Sequence, residues 1–205
     1  MKNLLKVVSV ILMAAVLASC SKVSGFSKDS FVSALEKNGI TELSKEEYAK
    51  GHPKELSYHK FDVAGEERQA LWISKLEVEA GEFSDYYLVM SQNDNVDVEI
   101  VYANYIQETK AQADFDEVQH SIANTIVGTG KEDDGKNYAM AFVNANAEGQ
   151  KDPEKEAGKY WYQAIYKDGT GVITISISIQ NTTYDFDKIE QICKDIGITS
   201  PTDLS

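Results

Sequence analysis

The chain is poor in the residues that most often advertise chemistry. Its 205 residues include only two cysteines and three histidines. Two cysteines cannot build a disulfide framework, and histidines at 52, 59 and 120 do not have the spacing of a structural zinc site. Positive charge is also scarce, with 20 Lys plus Arg against 33 Asp plus Glu, a formal net of −13. Phosphate recognition needs a basic face, so nucleic acid is excluded as a partner. Internal repetition is absent: Gly-Ile-Thr occurs at 39–41 and 197–199, but each copy follows an expected helix, and shared capping chemistry explains both. What remains is ordinary globular material, 42% hydrophobic and 26% charged, of a length that suits one domain.

The sharpest pattern lies at the start. Lys2 and Lys6 precede an apolar run from Val7 to Leu17, interrupted only by Ser9. Eleven residues make a helix of ~16 Å, too short for a hydrocarbon core of ~30 Å. A secretory signal fits better than a membrane span. The run ends in Leu17-Ala18-Ser19-Cys20, which resembles the lipobox of bacterial lipoproteins. That resemblance covers the first 20 residues and implies cleavage before Cys20, with the Cys20 sulfur joined to a diacylglycerol. Residues 1–19 are then a signal peptide, 20–26 a lipidated cysteine and short tether, and 27–205 one acidic domain. The partner implied is a membrane, reached through the lipid on Cys20 at the extracytoplasmic face. Cleavage removes Lys2 and Lys6, leaving 18 basic against 33 acidic residues, a net of −15. Such a surface is repelled by anionic headgroups over a Debye length of ~8–10 Å.

Beyond the tether the pattern predicts α+β. A helix opens at Ser27, a good N-cap, with Phe31, Ala34 and Leu35 as its stripe and Gly39 at its end. Residues 41–84 carry weak signals, with helical composition at 45–50 and 66–76 and Leu71, Trp72 and Leu76 as core candidates. Alternation at Tyr86, Leu88 and Met90, then at Val96, Val98, Ile100 and Tyr102, predicts a hairpin turning at Asn93-Asp94-Asn95. A helix over 110–126 follows from Phe115, Val118, Ile122 and Ile126, stopped by Gly128 and Gly130, and a strand from Tyr138, Met140 and Phe142. Asp168-Gly169 predicts a two-residue type I′ turn, which sets Tyr162 against Ile175 and Ala164 against Ile173 on the core face. Trp161 with Ser176 and Gln163 with Thr174 then fall on the other face. A last helix runs over 185–196, ended by Gly197. Together these predict an antiparallel sheet of four to five strands with helices on one face, the Trp161 face left partly open.

Motifs for catalysis are weak. Cys193 sits in an apolar helical stripe beside Asp195, the setting of a structural thiol rather than a nucleophile. The histidines read as solvated or lightly paired. Gly128-Thr129-Gly130-Lys131 lacks the first glycine of a phosphate loop, and Glu132 stands where Ser or Thr would hold magnesium. Ser57-Tyr58-His59-Lys60 matches a Ser-x-x-Lys spacing without its companion motifs. Asn93, Asn95, Asp97 and Glu99 alternate into a strand, where they form a solvated acidic face rather than a converging calcium site, and Glu132, Asp133 and Asp134 gather in one loop. No catalytic residue, cofactor or metal is assigned. Two features suit binding: a long polar connection over 145–158, and Trp161 among Gln163, Thr174, Ser176 and Ser178, able to stack on a glycan ring or anchor an envelope protein. The competing reading is a tryptophan covered by residues 41–84. The expected function is a non-enzymatic binding module at the cell envelope; the alternative is an envelope-polymer hydrolase using a carboxylate pair.

Overall fold

A computed structural model describes residues 25–64, 83–123, 131–132, 138–146 and 159–204, with the backbone alone described at 121–123, 131–132, 141–146 and 204. The expected signal peptide, the segment around Leu71, Trp72 and Leu76, the stop at Gly128 and Gly130, and loop residues 147–158 lie outside the described residues. Helix α1 spans Lys28–Lys37, β1 Thr41–Glu42, α2 Lys45–Tyr48, β2 Ser57–Lys60, β3 Phe83–Gln92 and β4 Val96–Tyr105. Helix α3 spans Glu108–Ala123, β5 Lys131–Glu132, β6 Ala139–Asn146, β7 Lys159–Asp168, β8 Gly171–Gln180 and α4 Asp187–Ile196, with a final 3-10 turn at Pro201–Leu204.

The architecture is α+β, and its sheet is larger than the four to five strands expected. The described residues form eight strands in the order β1-β2-β3-β4-β8-β7-β6-β5. All pairs are antiparallel except β1 with β2, so the sheet is mixed. The extra strands escape sequence reading because they are short. β1 and β5 have two residues each, and β2 is Ser-Tyr-His-Lys, a segment with little alternation.

Helices lie on both faces, not on one. Phe31 and Leu35 of α1 and Ile189, Ile192 and Cys193 of α4 bury against Tyr87, Val98, Ile100, Tyr102, Ile173, Ile175 and Ile177. On the opposite face Ala111 and Phe115 of α3 pack on Tyr86, Val101, Ala103, Tyr105, Ile165 and Val172. The reason is local composition: toward the β7–β8 turn both faces are apolar and each needs a cover. The caps explain where the helices stop. The Ile40 amide bonds the Leu35 carbonyl and the Gly39 amide the Glu36 carbonyl, with Gly39 at φ +70°. Ile198, Cys193, Gly197 and Lys194 repeat that Schellman arrangement after α4. The recurring Gly-Ile pair is capping chemistry, with both isoleucines buried.

The β7–β8 register corrects the expected one by two residues. Asp168 pairs with Gly171, so Gly169 and Thr170 form the loop. Gly169 takes φ +58° and Thr170 does not go positive, the pattern of a type II′ turn with glycine first. Tyr162 therefore opposes Ile177 and Ala164 opposes Ile175. A shift of two leaves every side chain on its expected face, whereas a shift of one would have inverted the core.

The chain enters the fold at this same turn. An added Cβ at Gly25 would lie 3.0 Å from the Asp168 carbonyl oxygen. One at Gly171 would lie 2.8 Å from the Phe26 carbonyl oxygen. Tyr102, fully buried, donates its hydroxyl to that oxygen at 3.0 Å, and the Phe26 ring packs beside Tyr138 with centroids 5.7 Å apart. Gly25 and Phe26, the last two residues of the expected tether, are seated on the sheet.

Candidate functional site

The four residues expected to form a binding surface share one face. Gln163 pairs with Ser176, Ile165 with Thr174, and Trp161 with Ser178 rather than with Ser176. Strand β4 lies on the other side of β8 and sets Val101 against Thr174, Glu99 against Ser176 and Asp97 against Ser178. Trp161, Gln163, Thr174, Ser176, Ser178 and Glu99 are all half-buried. Ala111, Phe115 and Val118 of α3 pack near the row of Val101 and Ile165, at the turn end of the same face. Met90, buried, pairs with Glu99 in the next strand and forms an apolar border. Residues 41–64 run to the far edge, with β2 separated from β4 by β3, while 65–82 lie outside the described residues.

One aromatic, hydroxyls, an amide and a carboxylate give the patch its character. The Lys159 ammonium lies 5.5 Å from the Trp161 ring centroid, a cation–π contact that fixes one face of the indole. Asp97 and Glu99 disfavour an anionic ligand, while hydroxyls and amide can both donate and accept. Alternation alone marks Trp161, Gln163, Thr174 and Ser176 as one face. Asp97 and Glu99, expected as a separate acidic face, join it through the long-range pairing of β4 with β8, which local pattern does not show.

The remaining candidates are dispersed. Of the two settings expected for the histidines, solvated or lightly paired, burial excludes the first for His59: Nδ1 donates to the Leu43 carbonyl at 3.0 Å, and the ring stacks on Tyr48 with centroids 4.5 Å apart. Its burial follows from β2, an element the sequence did not reveal. His52, in the loop between α2 and β2, and His120, on α3, are both exposed. Ser57 and Lys60 sit three apart on one strand and so point to opposite faces, which removes the Ser-x-x-Lys reading. Cys193 is buried in α4 and its thiol is pushed up to about 12 by that burial, the state of an inert structural cysteine. The Asn93 side chain accepts from the Asn95 and Val96 amides and closes the β3–β4 turn. Among the described residues no group of three His, Cys, Asp or Glu is placed to hold a metal. Asp133 and Asp134 lie outside them.

Two open clefts indent the surface away from Trp161. One, of about 500 Å³, lies beside His59, Ser84 and Asp85; the other, of about 880 Å³, lies between α4 and the C-terminal turn at Asp187, Glu190 and Asp203. Glu190 accepts a hydrogen bond from the Thr202 hydroxyl at 2.7 Å, which ties that carboxylate to the turn. Among the described residues no helix is long and apolar enough to cross a membrane. No family model matches the chain, and no curated protein does.

Proposed function

We propose that the protein is a lipoprotein held at the outer face of a bacterial cytoplasmic membrane, or of a later membrane, by a diacylglyceryl group on Cys20. Its domain is a non-enzymatic binding module for an envelope protein or glycan. The order basic region, apolar run, small residues and cysteine at Lys2 to Cys20 carries the anchor. Two or more acyl chains, at ~0.8 kcal/mol per buried methylene, suffice to hold a soluble domain on a bilayer. The half-buried patch of Trp161, Gln163, Thr174 and Ser176 supports the binding role, because an aromatic ringed by hydroxyl and amide groups offers both area and orientation.

The anchor is tested by growing cells with an alkyne fatty acid: the native protein takes the label, and Cys20→Ala stays unlabelled at precursor length. Labelling of that variant would remove the assignment. The surface is tested by cross-linking intact mature protein in cells. Trp161→Ala and Ser176→Glu should each abolish an adduct that the native chain forms while the chain still folds and melts cooperatively, with Tm lowered by no more than a few degrees. Persistence of the same adducts in both variants would exclude this face.

A further inference from the structure

We propose that the β7–β8 turn end of the sheet faces the bilayer and that Ile106 rests in its surface, so that the domain stands on the membrane in one orientation. This rests on the lipid anchor at Cys20. The first observation is the seating of the chain just after that residue. Gly25 lies against the Asp168 carbonyl and within 3.9 Å of the Gly169 Cα, judged from its Cβ position, and the Phe26 carbonyl is held by Tyr102. Cys20 and Phe26 are six residue steps apart, at most ~20–22 Å of extended chain. The turn end is therefore held within that reach of the headgroups.

The second observation is an apolar side chain at the same place. The Tyr105 amide bonds the Thr170 carbonyl at 2.9 Å, and Thr170 also donates its hydroxyl to Asn104 at 2.8 Å. The next residue, Ile106, is 61% exposed, more than any other large hydrophobic side chain among the described residues. It projects from the corner where β4 passes into α3, beside the turn on which Gly25 is seated. One isoleucine cannot hold a domain on a bilayer, but a tether this short keeps it at high local concentration there.

Charge at this end is mixed. Lys28 pairs with Asp85 at 3.3 Å and Lys167 with Glu108 at 3.3 Å, and Lys110 lies in the first turn of α3, while Asp29, Asp114 and Asp168 add carboxylates. The contact therefore rests on the tether and on Ile106, against a residual repulsion from anionic headgroups. The opposite end, at Asn93–Asn95, lies one ten-residue strand away, ~33 Å along β4.

The test uses the full lipidated protein in vesicles of phosphatidylethanolamine and phosphatidylglycerol carrying a nitroxide on the lipid headgroup. A fluorophore is placed through Gln107→Cys or, at the far end, Asp94→Cys. Labelling is selective, because the Cys20 sulfur carries lipid and Cys193 is buried. Quenching should be several-fold stronger at 107 than at 94, and Ile106→Asp in the Gln107→Cys background should weaken it without reaching the far-end level, because the tether remains; quenching unchanged by Ile106→Asp would overturn the contact of Ile106 with the bilayer. Equal quenching at both sites, in protein that floats with the vesicles, would overturn the orientation and leave the anchor intact. Protein that does not float would overturn both. A label at 107 that is shielded from water but not quenched by the nitroxide would overturn the bilayer contact in favour of a protein partner or a second copy.

Discussion

Gly171→Ala probes the joint between tether and sheet. Gly171 has an ordinary backbone conformation, so the substitution acts through space alone. Its new methyl would lie 2.8 Å from the Phe26 carbonyl oxygen, 2.9 Å from the Phe26 Cβ and 3.3 Å from the Phe26 nitrogen. The nearest of these are backbone atoms and Cβ, which cannot swing aside as a flexible tip does. Phe26 must lift, and the Tyr102 hydroxyl, buried beneath it, loses its acceptor. An unmet buried hydroxyl costs about 1–3 kcal/mol, and partial loss of a half-buried phenylalanine about 1 kcal/mol more. The stiffer unfolded chain returns about 0.4–1 kcal/mol. The net is about 1–3.5 kcal/mol, which for a domain of this size lowers Tm by ~2–14 °C. Thermal melts followed by circular dichroism measure it, and trypsin cleavage after Lys28 should quicken in parallel. In a Phe26→Ala background the same change should cost less, since the two sites share one contact. A Tm within ~1 °C of the native value would mean that Phe26 does not lie over Gly171, and the reasoning would fail.

Gly169→Val places a β-branched residue at φ +58° and should cost about 1–3 kcal/mol in urea unfolding; an unchanged midpoint would place the turn elsewhere. Tyr166→Phe removes the hydroxyl that donates to the Thr199 carbonyl at 2.7 Å and should cost about 1–2 kcal/mol, with faster proteolysis of the C-terminal turn; native stability would mean this bond does not hold the turn. Stability should also fall in alkali. Burial pushes the Cys193 thiol and the Tyr87 hydroxyl each up to about 12, and raises Tyr102 and Tyr166 further. Each group holds its proton more tightly folded than unfolded. Stability is therefore full below the ordinary thiol value of 9.0 and is lost as pH rises toward about 12. A urea midpoint that stays flat to about pH 11.5 would contradict these burials.

The sequence made some elements legible because local and tertiary demands coincide there. Ser27 accepts from the Ser30 amide, Gly39 closes the first Schellman motif, and Phe31, Ala34 and Leu35 are buried as their spacing predicts. The tyrosine and isoleucine faces of β7 and β8 were equally clear. Their register was not, because Asp168-Gly169-Thr170 suits two turns that differ by two residues and expose the same faces. The second layer was harder to see. Ile165 and Val172 lie on the Trp161 face, and only the pairing of β8 with β4 sets Val172 against Ala103, giving α3 a floor. The burial of His59 is hidden in the sequence for the same reason, since the enclosure by Tyr48 and Phe61 comes from an unpatterned segment. The candidate surface was found at four of its residues, and the acidic border from β4 was missed as part of it.

The central claim is that Cys20 becomes a lipid-bearing N-terminus. Intact mass spectrometry of the protein purified from its own membranes tests it most directly. A mass that begins at Cys20 and carries a diacylglyceryl group is the predicted result. A polypeptide beginning at Met1, or one beginning at Cys20 with no lipid, would contradict the account.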